Sequence, residues 1–238
     1  MKLSIIVPCY NERETLGEVL QRLMKLQLLC EVEVIVVDDG STDGSAKVVE
    51  KFPKVQLIRH EVNKGKGAAL KTGIEKSSGD FILIQDADLE YFPEDIPKLI
   101  DPILSDKADV VLGSRFLGKP EGMSRSHLFA NKLLSCATRI LFNSKITDVM
   151  TGYKVFPRKA FEGISIISRS FDIETELVGN FLKLGLRVVE VPIQYRYRRS
   201  GKSKIMWKHG FASLWTLLRI RFGHLGRMGR GLRDCLLF

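Results

Sequence analysis

Phe81-Ile82-Leu83-Ile84-Gln85-Asp86-Ala87-Asp88-Leu89-Glu90 is a short apolar run that ends in three acids at every second position. Alternate side chains of an extended chain point the same way, so this spacing gathers Asp86, Asp88 and Glu90 on one side of a strand end. Carboxylates held that close repel each other unless a cation or a proton sits among them. Hard oxygen ligands suit Mg2+ or Mn2+, which bind through a few carboxylates together with phosphate oxygens. The stretch therefore points to metal-assisted chemistry on a phosphate compound. Taken alone, the same residues also describe an acidic turn that closes a buried strand.

The flanking sequence decides between the two. Strands are expected at residues 3–7, 32–37, Val55–Arg59 and 81–85, with helices at 11–29, 45–51 and 64–76 between them. Glu12, Glu14 and Glu18 crowd the start of the first helix, and Leu16, Leu20 and Leu23 recur at helical spacing. Asp38-Asp39-Gly40-Ser41-Thr42-Asp43-Gly44 is a polar turn suited to capping the second. Three cycles of strand and helix predict a mostly parallel α/β sheet covered by helices on both faces. Ligands of such sheets sit beyond the carboxyl ends of the strands. Pro8-Cys9-Tyr10-Asn11-Glu12, Asp38-Asp39-Gly40-Ser41 and Asp86-Ala87-Asp88 all fall at that edge.

After residue 90 the pattern loosens. Helices are expected at 94–104, 128–142 and 172–184, a short strand at 110–112, a polar loop at 147–153 and an alternating strand at 187–197. The chain of 238 residues is long enough for one large core. Cys9, Cys30, Cys136 and Cys235 form no CxxC pair and read as reduced thiols of a cytosolic protein. His60, His127, His209 and His224 lack metal-ligand spacing. The N-terminal apolar run is too short for a signal peptide, and no stretch reaches the length of a spanning helix.

The net charge of +9 is unevenly placed. Residues 1–195 hold 26 basic and 27 acidic side chains, whereas residues 196–233 hold 11 basic and none that is acidic. Phe211, Leu214, Trp215, Leu218 and Phe222 form one helical stripe within that basic segment. Such a helix either packs on its own domain or lies in the headgroup region of an anionic membrane. No base-reading module accompanies the charge, so nucleic acid is not the expected partner. The division expected is a catalytic domain over residues 1–205 and a basic, membrane-associating extension over 206–238.

Lys64-Gly65-Lys66-Gly67-Ala68 opens a helix with glycines and lysines, which suits either an anion or a simple helix start. It does not match the P-loop pattern. Asp38 and Asp39 can cap a helix or bond the base or ribose of a nucleotide. Arg115, Arg125, Arg198 and Lys204 are single basic residues, whose significance lies in number, because a diphosphate needs several cations around it.

Taken in order, Ile5-Ile6-Val7-Pro8-Cys9-Tyr10-Asn11-Glu12, Val36-Val37-Asp38-Asp39-Gly40-Ser41-Thr42-Asp43, Asn63-Lys64-Gly65-Lys66-Gly67, Gln85 to Glu90, Gly113-Ser114-Arg115 and Thr147-Asp148-Val149-Met150-Thr151-Gly152-Tyr153-Lys154 form a familiar series. The chain resembles the inverting family 2 glycosyltransferases, and among them the dolichyl-phosphate or polyprenyl-phosphate mannosyltransferase-like enzymes, over about residues 1–210. The resemblance implies a Rossmann-like GT-A fold, a nucleotide-sugar donor, a polyprenyl phosphate acceptor and Mg2+ or Mn2+. It implies nucleotide contacts from Pro8, Tyr10, Glu12, Val37 and Asp39, and a metal-and-diphosphate motif in Asp86, Ala87 and Asp88. Glu90 stands where relatives often carry Gln. Arg115 and Arg125 resemble residues that hold the acceptor phosphate, Arg198 and Lys204 cations that close over the donor diphosphate, and Asp148 an acid near the reaction centre. Catalytic roles are thus expected of Asp88, Arg115 and Asp148. Many relatives carry transmembrane helices after this domain; their lack here makes the expected membrane hold peripheral, at a cytoplasmic face. The alternatives are a family 2 transferase acting on a glycan hydroxyl and a non-catalytic nucleotide- or polyanion-binding module.

Overall fold

Ile5-Ile6-Val7 and Val34-Ile35-Val36-Val37 carry no polar side chain on either face, so strands made from them need cover on both sides. The computed structural model provides it; it describes residues 1–164, 166–168, 170, 172–197 and 207–223. The elements run β1 (Lys2–Cys9), α1 (Arg13–Lys25), β2 (Glu31–Asp38), α2 (Ser45–Val49), β3 (Val55–Arg59), α3 (Lys66–Lys76) and β4 (Phe81–Ile84). A 3-10 turn at Pro93–Asp95 then leads into α4 (Ile96–Leu104), β5 (Val110–Glu121), α5 (Arg125–Phe142), β6 (Lys154–Pro157), α6 (Arg158–Glu162), α7 (Ile173–Lys183), β7 (Val188–Arg196) and α8 (Trp207–Phe222).

The strands form one seven-stranded sheet in the order β3-β2-β1-β4-β6-β5-β7. All pairings are parallel except those of β6, which runs antiparallel to both β4 and β5. One face packs Leu16, Val19, Leu20 and Leu23 of α1 and Ile96, Leu99 and Ile100 of α4 against Leu3, Ile5, Val7, Val36, Leu83 and Val155. The other packs Leu70 and Ile74 of α3 and Leu177, Val178 and Phe181 of α7 against Ile6, Ile35, Val37, Ile84, Leu112 and Phe156. Each such Leu, Ile or Val contributes about 1.5–3 kcal/mol of burial free energy.

Three sequence expectations are corrected. β5 is far longer than residues 110–112, because it resumes pairing with β7 beyond an irregularity between Ser114 and Lys119. β6 and α6 were not foreseen; Lys154–Pro157 is only four residues long and closes on a proline. The helix expected at 128–142 begins at Arg125, where the Ser124 hydroxyl accepts the His127 amide. β6 matters most for the site. Its antiparallel course puts its first residue, Lys154, opposite Ile84, so the loop at 147–153 arrives at the same sheet edge as the acidic turn.

Candidate active site

The site is assembled where β1, β2, β4 and β5 end. On the β1–β2 side, two loops are tied together by side chains. Asn11 sits in the left-handed region (φ 55), where its amide accepts the Thr42 N–H at 2.9 Å. Ser41, Ser45 and Asp43 in turn accept the backbone N–H groups of Asn11, Glu12 and Arg13. These are the N–H groups a helix start leaves unsatisfied. Pro8 is half-buried, Tyr10 is exposed and Glu12 is half-buried at this surface. Val37 does not face it: its side chain is fully buried in the core against Ile6 and Gly73. Any contact of Val37 with a nucleotide is therefore through its backbone.

Asp39 is also buried. Its carboxylate accepts the backbone N–H groups of Lys64 and Gly65 at 2.9 and 2.8 Å and meets His60 Nδ1 at 2.7 Å. His60 Nε2 reaches Thr72 at 3.0 Å, which gives this histidine a local structural role. Asp39 thus shapes the loop that opens α3. A Cβ at Gly40 (φ +74) would lie 2.7 Å from the Val62 backbone, so this crossing requires glycine.

The acidic turn differs from the extended geometry expected of it. β4 stops at Ile84, and Leu89 adopts a left-handed backbone (φ 61), which ends the alternation of side chains. Glu90 consequently turns away and its carboxylate accepts from the Tyr195 hydroxyl at 2.8 Å. Among the described residues no group of three or more His, Cys, Asp and Glu converges on one point. The expected trio of Asp86, Asp88 and Glu90 therefore contracts to Asp86 and Asp88. That pair fits a cation that takes one or two carboxylates and completes its shell with phosphate oxygens and water. The turn is held from several directions. Thr15 of α1 donates to the Ala87 carbonyl at 2.7 Å, and the Glu90 N–H donates to Asp88 at 3.1 Å. Wholly buried Gln85 donates to the Asp86 and Tyr91 carbonyls and accepts from the Tyr153 hydroxyl.

Asp86 begins a buried chain of alternating charge. Its Oδ1 lies 2.6 Å from Lys66 Nζ, which lies 2.7 Å from Glu174 Oε1 on α7. The other Glu174 oxygen pairs with Lys154 at the start of β6, and Lys154 also donates to the Thr151 carbonyl. Burial pushes the Lys66 ammonium towards losing its proton, but Asp86 and Glu174 outweigh it and hold the pKa above the usual lysine range. For Lys154 burial wins and the pKa is lowered, despite the attraction of Glu174. On its far side Asp86 abuts Gly152, where an added Cβ would come 2.4 Å from Oδ2.

Arg115 and Asp148 form a second pair. Arg115 Nε and Nη2 donate to the two Asp148 oxygens at 2.8 and 2.7 Å, and the Arg115 backbone N–H adds a third bond at 3.0 Å. Arg115 is buried, its guanidinium 5.2 Å from the centre of the Tyr195 ring, and Asp148 has no exposed surface. Burial alone would lower the Arg115 pKa, but Asp148 raises it well above the ordinary value. The Asp148 loop is clamped by Glu190 of β7, which accepts the Thr147 and Asp148 N–H groups at 2.7 and 2.8 Å. With both oxygens committed to Arg115, Asp148 is a partner that positions Arg115.

The fold thus brings Asp86, Ala87, Asp88, Arg115 and Asp148 to one edge beside the Tyr10 and Asp39 loops. Arg125 is exposed at the first turn of α5. Arg198 and Lys204 lie outside the described residues. Sequence reasoning missed Glu174, Lys154 and Glu190. The only sign of Glu174 was an acid in the first turn of a helix, which any exposed helix start also shows. α8 packs Ser213, Thr216, Leu217 and Ile220 inward against α5 and α7, and Arg219 pairs with buried Glu176 of α7 at 2.7 Å. Of the stripe foreseen at Phe211, Leu214, Trp215, Leu218 and Phe222, Phe211, Trp215 and Phe222 face outward, 76%, 68% and 72% exposed, whereas Leu218 is half-buried.

A mostly parallel α/β sheet with an acidic turn at its carboxyl edge defines the class of GT-A folds, and comparison bears this out. Glucosyl-3-phosphoglycerate synthase from Mycobacterium tuberculosis, in complex with phosphoglyceric acid, superposes with a TM-score of 0.77 at 22% identity, covering 92% of this chain and 79% of that one. The same enzyme with Mn2+, uridine diphosphate and glucosyl-3-phosphoglycerate gives 0.76 at 23% identity over 92% and 79%. Residues 4–165 match glycosyl transferase family 2, and the chain belongs to that family. A dolichol-phosphate mannosyltransferase of Pyrococcus furiosus is 34% identical over 92% of this chain and 64% of its own length. An undecaprenyl-phosphate mannosyltransferase of Micrococcus luteus is 30% identical over 94% of this chain and 100% of its own. The chain spans 64% of the Pyrococcus relative and of the glycosyltransferase AglJ of Haloferax volcanii, which is 30% identical.

Proposed function

We propose that the protein transfers a hexose, mannose or glucose, from a nucleoside diphosphate sugar to a polyprenyl phosphate, with inversion at the anomeric carbon. The observation that carries this reading is the placement of the Asp86–Asp88 turn and the Arg115–Asp148 pair at one sheet edge. One binds through carboxylates and the other presents a cation, which suits a donor diphosphate beside an acceptor phosphate. Mg2+ or Mn2+ on Asp86 and Asp88 would supply neutralisation of the charge that develops on the departing diphosphate. Tyr10, Glu12 and the backbone at Val37 hold the nucleoside. Arg115, fixed by Asp148, orients the acceptor and balances its charge. Arg125 contributes to the same anion from the start of α5, and Arg198 and Lys204 close over the donor.

The committed state of Asp148 favours a phosphate acceptor over a glycan hydroxyl. A hydroxyl needs a general base. A phosphate monoester, with a second pKa of about 6, is already largely dianionic at neutral pH and needs only alignment. A peripheral site at the cytoplasmic face of a membrane suits a lipid acceptor. No helix among the described residues is long and apolar enough to cross a membrane. Instead, Phe211, Trp215 and Phe222 of α8 and Phe129, Leu133 and Ile140 of the adjoining α5 offer outward apolar side chains that an interfacial helix would bury. Cys9, Cys30 and Cys136 are free thiols, which suits a reducing compartment.

The test is transfer of labelled sugar from a panel of nucleoside diphosphate sugars into an organic-solvent phase. Label should enter that phase only when polyprenyl phosphate is supplied, stop with EDTA and return with Mg2+ or Mn2+. Label entering a water-soluble glycan instead, independent of the lipid, would contradict the proposal.

A further inference from the structure

Lys66, Glu174 and Lys154 place a largely buried ion-pair chain directly behind the acidic turn. Buried charge is costly unless paired, so the arrangement calls for a role. Two features define it. Lys66 Nζ sits 2.6 Å from Asp86 Oδ1, an oxygen through which Asp86 would otherwise reach a cation, and the absence of a side chain at Gly152 leaves room beside Oδ2. Moreover, within the chain of Asp86, Lys66, Glu174 and Lys154 two negative charges meet two positive ones, so the charge of Asp86 is balanced before any metal arrives.

We propose that Lys66 is a resident counter-ion that occupies Asp86 in the free protein and makes metal binding conditional on the donor diphosphate. This rests on the assignment of Asp86 and Asp88 as metal ligands. A dication reaching Asp86 places two positive charges beside the Lys66 ammonium in a largely buried site, which is unfavourable. A dication arriving with a diphosphate brings its own negative charge, and Lys66 and the metal then share the pocket. Glu174 is a positioning residue: it divides the charge of Lys66 with Asp86 and keeps the ammonium from binding Asp86 alone. The signs of two substitutions therefore differ. Lys66→Met frees Asp86 and leaves the ion-pair chain with a net negative charge, so metal binds more tightly. Glu174→Gln leaves Lys66 with Asp86 as its sole acidic partner in the chain and gives that chain a net positive charge, so metal binds more weakly.

The experiment is titration of the full chain with Mn2+, read by the electron paramagnetic resonance of free Mn2+, without nucleotide. Lys66→Met is expected to tighten Mn2+ binding about tenfold, within the usual range of coupling between sites. Glu174→Gln is expected to weaken it, and excess nucleoside diphosphate to shrink the gap between Lys66→Met and the unchanged protein. A merely structural lysine predicts equal or weaker binding in Lys66→Met, and that result overturns the proposal. Should circular dichroism show that Lys66→Met does not fold, Glu174→Gln decides, and binding as tight as in the unchanged protein overturns it. Asp88→Asn separates the two levels. If it leaves Mn2+ binding intact, the metal assignment itself fails; if it abolishes binding while Lys66→Met changes nothing, only the counter-ion role fails.

Discussion

The two sides of the sheet edge are built by different means. From β3 to β4 each strand ends in a loop that organises itself with its sequence neighbours or with the next loop, as Asn11, Ser41, Asp43 and Ser45 do. From β6 to β7 the edge depends on contacts between distant segments: Asp148 on Arg115, Glu190 on Thr147, and Lys154 on Glu174. The proposed donor side is thus a set of strand-end loops that local sequence shapes. The proposed acceptor side is a set of buried ion pairs that exists only once the sheet has closed. The antiparallel β6 joins the two by delivering Gly152 to Asp86.

That contrast makes the acceptor side the more brittle under substitution. Arg115→Ala removes one member of a buried pair and leaves Asp148 uncompensated, so it should cost about 3–5 kcal/mol of unfolding free energy and abolish transfer. Urea denaturation and the lipid-transfer assay measure both. Asp148→Asn should lower the rate less and, if Asp148 only positions Arg115 as proposed, leave the shape of the pH–rate profile unchanged; loss of the acidic limb would instead reveal a base. At the junction, Gly152→Ala forces a Cβ to within 2.4 Å of Asp86 Oδ2. Displacement of about 1 Å at a reacting centre costs about a hundredfold, and kcat should fall by that order. Gly210→Ala, with nothing within 4 Å, should instead stabilise α8 slightly, by about 0.5–1 kcal/mol.

The smallest effect belongs to the opposite end of the donor side. Glu33 is partly buried, which opposes its ionisation. Hydrogen bonds from Ser4 and Ser78 and the charge of Lys2 overcome this and lower its pKa from 4.5 to about 2. A lowered carboxylate pKa stabilises the fold above the unfolded value and loses that contribution as pH falls through the folded one. Thermal stability of the unchanged protein should therefore decline between pH 4.5 and 2 more steeply than that of Glu33→Gln.

The same contrast explains what the sequence disclosed. The first four strands and the helices between them were legible because apolar runs alternate with helical periodicity and each ends in a polar turn. The Asp86–Asp88 pair and Arg115 were legible as residue types at strand ends. The geometry of Glu90 was not, because alternation holds only while the chain stays extended and Leu89 breaks it. β6 was hidden by its length and by Pro157. Glu174 and Glu190 were hidden because nothing local marks which distant cation or loop an acid will meet. Of the foreseen stripe of α8, Phe211, Trp215 and Phe222 point outward and Leu218 does not, while the opposite face of the helix packs on α5 and α7.

If the acidic turn holds a cation against the diphosphate of an activated sugar, Asp88→Ala should show it plainly in transfer of labelled hexose to polyprenyl phosphate with Mn2+ present. A loss of about 10^3-fold in kcat/KM with an unchanged circular dichroism spectrum is expected. Transfer by Asp88→Ala at the rate of the unchanged protein, or transfer by either protein undiminished in EDTA, would contradict it.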